Sequence, residues 1–352
     1  MNKDNYLHLK ILDSTLREGA ASLQGEHCFN DQAWVEIAHE ITRLGVDTIE
    51  IGSPYGSNNV SSVQKEVAQT IGNSCLTRNS YQIHPDRSIT VESDETYTPQ
   101  ISALSTINQE QIDKTWDALE VAFLPIIHIV VPSADNLQKL QYPDNNRFSI
   151  AKMTALALDY AKDISSSNTN SQVALSFEGA SKTNYYHLDY LIHNALDHGV
   201  DIINLPDSEG VRDPWSMEKL YEYIFKIITA ENSEVTISAH NHNDLGLAAI
   251  NSLTLIKTAS QYKKDHELER GFKLQVEASV GGLGKRAGIC DIFTLMAGIE
   301  QFSPILGPLK YGFNPIYSVE VANVVFAYAN MMVDPKSPIV GRDVADNSFN
   351  LF

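Results

Sequence analysis

The chain has 352 residues, 43% of them apolar and 20% charged. This is an ordinary globular composition with room for one large α/β domain and a small appendage, and it excludes a disordered chain. With 26 basic and 44 acidic residues the net charge is −18, which argues against nucleic acid or an anionic membrane as the main partner and leaves room for a local basic pocket.

Short apolar runs predict strands at 8–13, 46–51, 100–105, 126–132, 172–178, 200–205, 234–239 and 273–280. Helical periodicity between them predicts helices at 30–44, 59–71, 108–122, 149–164, 185–198, 215–230, 244–260 and 290–300. Such an alternation predicts an α/β fold, a (β/α)8 TIM barrel with a short helical C-terminal extension. A doubly wound sheet lacks the GxGxxG it needs after the first strand. Residues 72–99 are long for a strand-to-helix connection and read as a lid or an irregular excursion. We divide the chain into a barrel at 1–303 and a linker with a helical extension at 304–352. Pro304, Gly307, Pro308, Gly312 and Pro315 mark the linker. The helix at roughly 317–332 is apolar on most faces and needs a protein surface, that of a second copy or of its own barrel.

Cys28, Cys75 and Cys290 are far apart and form no CxxC pair, as expected of packing thiols in a reducing cytoplasm. The opening Met1–Tyr6 shows no signal-peptide pattern. No apolar run approaches the roughly 18 residues of a membrane span.

Chemically capable side chains recur just past the strand ends: Arg17 and Glu18, Ser53, Ser133, Glu178, Asp207 and Ser208, then His240 and His242. A barrel concentrates its chemistry on that face. Residues two apart on a strand point the same way, so His240 and His242 reach one point in space, as a divalent metal requires. The plain alternative is two polar loop residues. Glu18 offers a carboxylate as third ligand.

These motifs carry a resemblance. Asp13-Ser14-Thr15-Leu16-Arg17-Glu18-Gly19 resembles the D-[ST]-T-L-R-[DE]-G signature of the 2-isopropylmalate and homocitrate synthases, within the DRE-TIM metallolyases. His240-Asn241-His242-Asn243-Asp244-Leu245-Gly246-Leu247-Ala248 matches their H-x-H-N-D-x-G-x-A segment, and Gly282-Leu283-Gly284-Lys285-Arg286-Ala287-Gly288 resembles their G-x-G-E-R-A-G turn. Ser176-Phe177-Glu178 and Leu205-Pro206-Asp207-Ser208-Glu209-Gly210 resemble two further strand ends.

The resemblance implies a divalent metal (Zn, Mn or Mg) on Glu18, His240 and His242, and acetyl-CoA as co-substrate. It implies Arg17 as the group that stabilises a developing alkoxide. Glu178 has two open roles, proton transfer or anchoring Arg17. Ser208 and Ser53 are candidate substrate contacts, and Ser208 is otherwise a helix cap. Gly282, Gly284 and Arg286 are candidates for the coenzyme. Asp13 and Glu50 read as support for the site. A homodimer through the C-terminal helix is implied, with small-molecule substrates as the other partners.

Four departures qualify the match. Ala20 and Ala21 replace the usual Glu-Gln, Gly281 replaces the usual Asn or apolar residue, and Lys285 replaces the usual Glu. The tail continues Pro338-Ile339-Val340-Gly341 with Arg342-Asp343 instead of a histidine-bearing run, and no His follows His266. A C-terminal leucine-sensing domain is not expected. The leading expectation is condensation of an acyl-CoA with a 2-oxo acid. A carbon–carbon lyase on the same scaffold and a metal-keeping barrel without turnover are the alternatives.

Overall fold

The computed structural model describes residues 6–54, 58–84, 86 and 88–345. Its barrel strands, each followed by a helix, are β1 (Leu7–Asp13) with α1 (Asp31–Arg43) and β2 (Thr48–Glu50) with α2 (Asn58–Ile71). A hairpin follows, β3 (Leu76–Ile83) and β4 (Ile89–Tyr97). Then come β5 (Gln100–Ser105) with α3 (Gln109–Leu119), β6 (Pro125–Pro132) with α4 (Arg147–Ser165), and β7 (Gln172–Glu178) with α5 (Tyr185–Asp197). The circle finishes with β8 (Ile202–Asp207) and α6 (Pro214–Ala230), β9 (Thr236–Asn241) and α7 (Ala248–Asp265), and β10 (Lys273–Ala278) and α8 (Ile292–Gln301). Parallel pairing runs β1-β2-β5-β6-β7-β8-β9-β10 and closes β10 onto β1, with Lys10 opposite Gln275 and Leu12 opposite Glu277. The expected (β/α)8 barrel is therefore the fold.

Strand alternation makes two interiors. Outward residues such as Ile11, Ile49, Ile101, Ile129, Leu175 and Ile237 are fully buried under the helices, each contributing about 1.5–3 kcal/mol. Inward, Ile126, Ala174 and Ile202 form a small separate apolar plug. Gln172 on β7, with Lys10 on β1 and Gln100 on β5, lies towards the N-terminal mouth. Glu50, His128, Ser176, Asn204, His240 and Glu277 lie above the plug, at the C-terminal mouth. Asn30, Asn108, Asn146, Asn184, Asp213 and Asp291 cap the helices that follow by accepting backbone N–H bonds, each worth about 1 kcal/mol.

Three expectations change. First, residues 72–99 are neither a lid nor irregular. They are the β3–β4 hairpin, and β3 pairs with β11 (Leu309–Gly312), which pairs in turn with Leu7 and His8 at the start of β1. The hairpin therefore lies at the N-terminal mouth, opposite the chemistry. Second, β8 and β9 run two residues further than their apolar stretches, because the inward side chains at the mouth are polar. Third, the presumed linker contains β11, and the helix of the extension, α9 (Ser318–Tyr328), ends before Asn330, whose φ is +51°. Val321, Ala322 and Val325 of α9 are buried against α1 and the turn after β10. Its own barrel thus supplies the surface for that face, while Val319 stays exposed. The chain-end expectations for Met1–Asn5 and for the tail from Asp346 to Phe352 lie outside the described residues.

Candidate metal centre and active site

Beyond β1 the chain makes a single wide helical turn, Thr15–Gly19, in which the N–H groups of Glu18 and Gly19 both reach back to the Ser14 carbonyl at 2.8 and 3.2 Å. The turn swings Arg17 and Glu18 over the mouth. The Nε2 atoms of His240 and His242 are 3.3 Å apart, and His242 Nε2 is 3.8 Å from Glu18 Oε1. Glu18, His240 and His242, all buried, each offer one ligand atom, and these atoms lie within 4.8 Å of one another. The sequence-predicted triad is therefore assembled.

Arg17 is locked by three carboxylates. Its Nε donates to Glu50 at 2.6 Å, Nη1 to Glu18 at 2.7 Å and Nη2 to Glu277 at 2.9 Å. Burial works against the Arg17 charge, but Glu50, Glu277 and Glu18 outweigh it and hold its pKa above the ordinary value. Burial likewise opposes ionised Glu18, yet Arg17 and the two histidines bring its pKa down to about 2. Glu50 is held below the usual carboxylate range against its own burial, by Arg17 and His128. Burial first, and the neighbouring His240 second, push His242 down to about 3. A neutral imidazole with an open lone pair is the form a metal binds. Burial raises Asp13 to about 7, although it accepts two bonds from Thr15.

The donor set fits a divalent ion on charge as well as distance. Glu18, Glu50 and Glu277 face one guanidinium, and although burial opposes a charge on His128, Glu50 raises its pKa; even with His128 protonated, three carboxylates against two cations leave the cluster net negative. Uncompensated buried charge is costly, and a divalent cation balances it. Glu277 Oε2 also lies 2.8 Å from His240 Nδ1, close in distance without the alignment of a good hydrogen bond. A carboxylate behind a ligating imidazole orients the ring.

Sequence reasoning missed Glu277, His128, Asn204 and Ser176. His128 Nδ1 donates to Glu50 Oε1 at 2.6 Å, and its Nε2 is 2.6 Å from Ser176 Oγ. Asn204 Nδ2 donates to Ser176 Oγ at 2.8 Å and to Glu277 Oε1 at 2.6 Å. With the two Arg17 contacts these bonds close a ring. The signal was a polar residue at an inward position of an apolar strand, as in Ile126-Ile127-His128-Ile129.

The other predicted residues are placed less centrally. Glu178 accepts from Gln141 Nε2 at 2.6 Å, so it does not anchor Arg17; Glu50, Glu277 and Glu18 do. Ser208 Oγ accepts the Gly179 N–H at 2.9 Å, a tie to the loop after β7, whereas Asp213 caps the helix that follows β8. Ser53 is half-buried beyond β2. Arg286 clamps Asp244 at 2.8 and 2.9 Å and donates to the Ser208 carbonyl at 2.7 Å. Gly282 has φ +68°, and a Cβ on Gly284 would meet Glu18 Cγ at 3.2 Å. The glycine turn is thus packed directly on the triad. The exposed Lys285 lends its charge to holding Glu18 ionised.

A family model described as HMGL-like matches residues 8–320. The chain belongs to the HMGL-like family. Over 337 residues this HMGL-like chain is 26% identical to the chloroplastic 2-isopropylmalate synthase 2 of Arabidopsis thaliana, a match covering 96% of the chain and 47% of that relative. Over 334 residues it is 28% identical to 2-isopropylmalate synthase 1 of Caldanaerobacter subterraneus, covering 95% and 72%. The resemblance read from the motifs therefore holds, although the chain spans only about half the length of the plant relative. An HMG-CoA lyase of Bacillus subtilis superposes with a TM-score of 0.68 at 14% identity over 99% of both chains, a likeness of fold. Among the described residues no helix is long and apolar enough to cross a membrane.

Proposed function

We propose that this HMGL-like chain is a metal-dependent acyltransferase that condenses an acyl-CoA, acetyl-CoA first among candidates, with a 2-oxo acid. The supporting observation is the convergence of Glu18, His240 and His242 beside an arginine fixed by three carboxylates. A divalent ion (Zn, Mn or Mg) held by that triad supplies a Lewis acid for the ketone of the oxo acid. Arg17 keeps a permanent positive charge where the ketone oxygen becomes negative, and Glu50 and Glu277 hold it there so that little reorganisation accompanies the reaction.

The remaining roles are part of the same reading. Ser208 accepts one bond and keeps its hydroxyl proton for a substrate carboxylate, with Ser53 as a second contact. Glu178 moves the proton of the acyl methyl group. The backbone at Gly282 and Gly284, with Arg286 beside it, receives the coenzyme. The chain acts as a homodimer, which the exposed Ile316, Val319 and Met332 around α9 support. Three free thiols support a reducing cytoplasm.

The test is thiol release from acetyl-CoA by metal-loaded protein across a panel of 2-oxo acids, with His242→Ala as control. Release that needs one oxo acid and disappears in the variant supports the synthase and names its substrate. Silence across the panel with metal still bound overturns it, and aldehyde- or ketone-releasing cleavage without CoA release transfers the site to a lyase.

A further inference from the structure

Two cavities lie away from the metal centre, at the N-terminal mouth of the barrel. One of about 600 Å³ is bounded by His8, Lys10, Gln172, Asp201, Glu234 and Lys273. Another of about 500 Å³ is bounded by Lys10, Gln172 and Asp201 together with Asp47, Arg78 and Gln100. Since Lys10, Gln172 and Asp201 border both, the two are lobes of one basin.

Three carboxylates, Asp47, Asp201 and Glu234, and three basic side chains, Lys10, Arg78 and Lys273, border this basin, and each carboxylate is already engaged. Asp201 is taken by Lys162 at 2.6 Å and by the Val173 N–H at 2.7 Å. Glu234 is taken by Arg270 at 2.9 Å and Lys273 at 3.2 Å. Asp47 is taken by Arg78 at 2.8 Å and by the Ile11 N–H at 2.8 Å. Lys10 has no carboxylate within ion-pair distance among the described residues. Its ammonium donates to Gln100 Oε1 at 2.7 Å, and Gln100 Nε2 donates on to Gln172 Oε1 at 2.7 Å. The two glutamines thereby fix the amine at the lip of the basin and leave it two further N–H groups.

A half-buried ammonium without a directly paired carboxylate is unfavourable. It sheds its proton or finds an anion, and burial does lower the Lys10 pKa, with Asp47 opposing and Arg78 and Lys273 assisting. We propose that the basin is a binding site for a small oxyanion, a carboxylate or a phosphate, held by Lys10 with Gln172 as polar support and the Lys273 stem at its edge. The anion supplies the counter-charge that the fold omits. The site is independent of the metal centre, from which the Ile126–Ala174–Ile202 plug separates it.

The experiment is thermal melting of the full chain during titration with inorganic phosphate and, separately, with acetate, for the wild type and Lys10→Met. The wild type is expected to show a saturable rise in melting temperature with at least one of the two anions, and Lys10→Met at least tenfold weaker half-saturation. The anion that saturates at lower concentration names the source. No saturable rise, or the same rise in Lys10→Met, overturns the proposal. If Lys10→Met does not fold, amine acylation mapped by mass spectrometry decides on the wild type alone. Phosphate or acetate should slow labelling of Lys10 at least threefold relative to the exposed Lys139, and equal labelling with and without anion overturns the site.

Discussion

The ring of Phe326 occupies the space that a side chain on Gly281 would need. A Cβ there would lie 2.5 and 2.6 Å from the Cε2 and Cζ atoms of the ring, and Gly281 has φ +62°. The departure from the family pattern at this position is therefore matched by a residue of α9, 45 positions on in the chain (326 − 281 = 45). Asn tolerates this backbone conformation better than most residues, so Gly281→Asn isolates the clash. We expect it to cost about 1–3 kcal/mol, the range for overpacking, and to recover most of that in the Gly281→Asn/Phe326→Ala double variant. Urea unfolding of the four proteins in the cycle measures it; additive costs would show that the ring and the glycine are not coupled.

Replacing Glu277 by Gln removes the carboxylate that faces both Arg17 and His240. Metal affinity should fall about 10–100-fold, the usual effect of losing a group that orients a ligand. Equilibrium dialysis with Zn and Mn reads this directly, without any assay of turnover. Unchanged affinity would mean that His240 is oriented by packing alone.

Arg17→Lys keeps the charge and loses the geometry. A guanidinium serves three carboxylates from three nitrogens, whereas an ammonium presents a single point. On the proposed reaction kcat should drop about 10²–10³-fold with the metal content preserved. Loss of metal in this variant would instead assign Arg17 to holding the triad together.

Asp13 gives the fold a pH dependence of known sign. Its pKa is raised by burial from the ordinary 3.8 to about 7, so between these values the folded state holds a proton that the unfolded state has released. Its contribution is present below about 4 and is lost as the pH rises towards 7. The upper bound is about 4 kcal/mol, at about 1.4 kcal/mol per unit. Asp13→Asn should flatten this part of the profile, read as urea midpoints at pH 5 and pH 7.5. An unchanged slope would remove Asp13 as its source.

The triad was legible because a strand's alternation and a charged residue at its end are local features, and two such ends, those of β1 and β9, supply all three ligands. Glu178 and Ser208 show the limit of that logic, since a place at a strand end does not fix whether a side chain turns inward or towards the next loop. Glu277 was hidden because it sits inside Leu274-Gln275-Val276-Glu277-Ala278, where an inward polar position is indistinguishable from an edge. The β3–β4 hairpin was hidden because β3 is half-buried along most of its length and β4 is exposed and rich in Thr and Glu, so that alternation is weak. Its partner β11 lies far along the chain, and only closure of the barrel brings the two together.

Arg17 and Glu277 are 260 residues apart, and they meet only when β10 docks on β1. The buried ring through Glu50, His128, Ser176, Asn204 and Glu277 also needs every intervening inward strand in register. The metal centre therefore comes into being only when the barrel closes. Ion capture is then a reporter of barrel closure: in a refolding experiment helix content should recover first, and high-affinity metal uptake should follow with a slower phase, because contacts so far apart in the chain carry a large loop-closure cost.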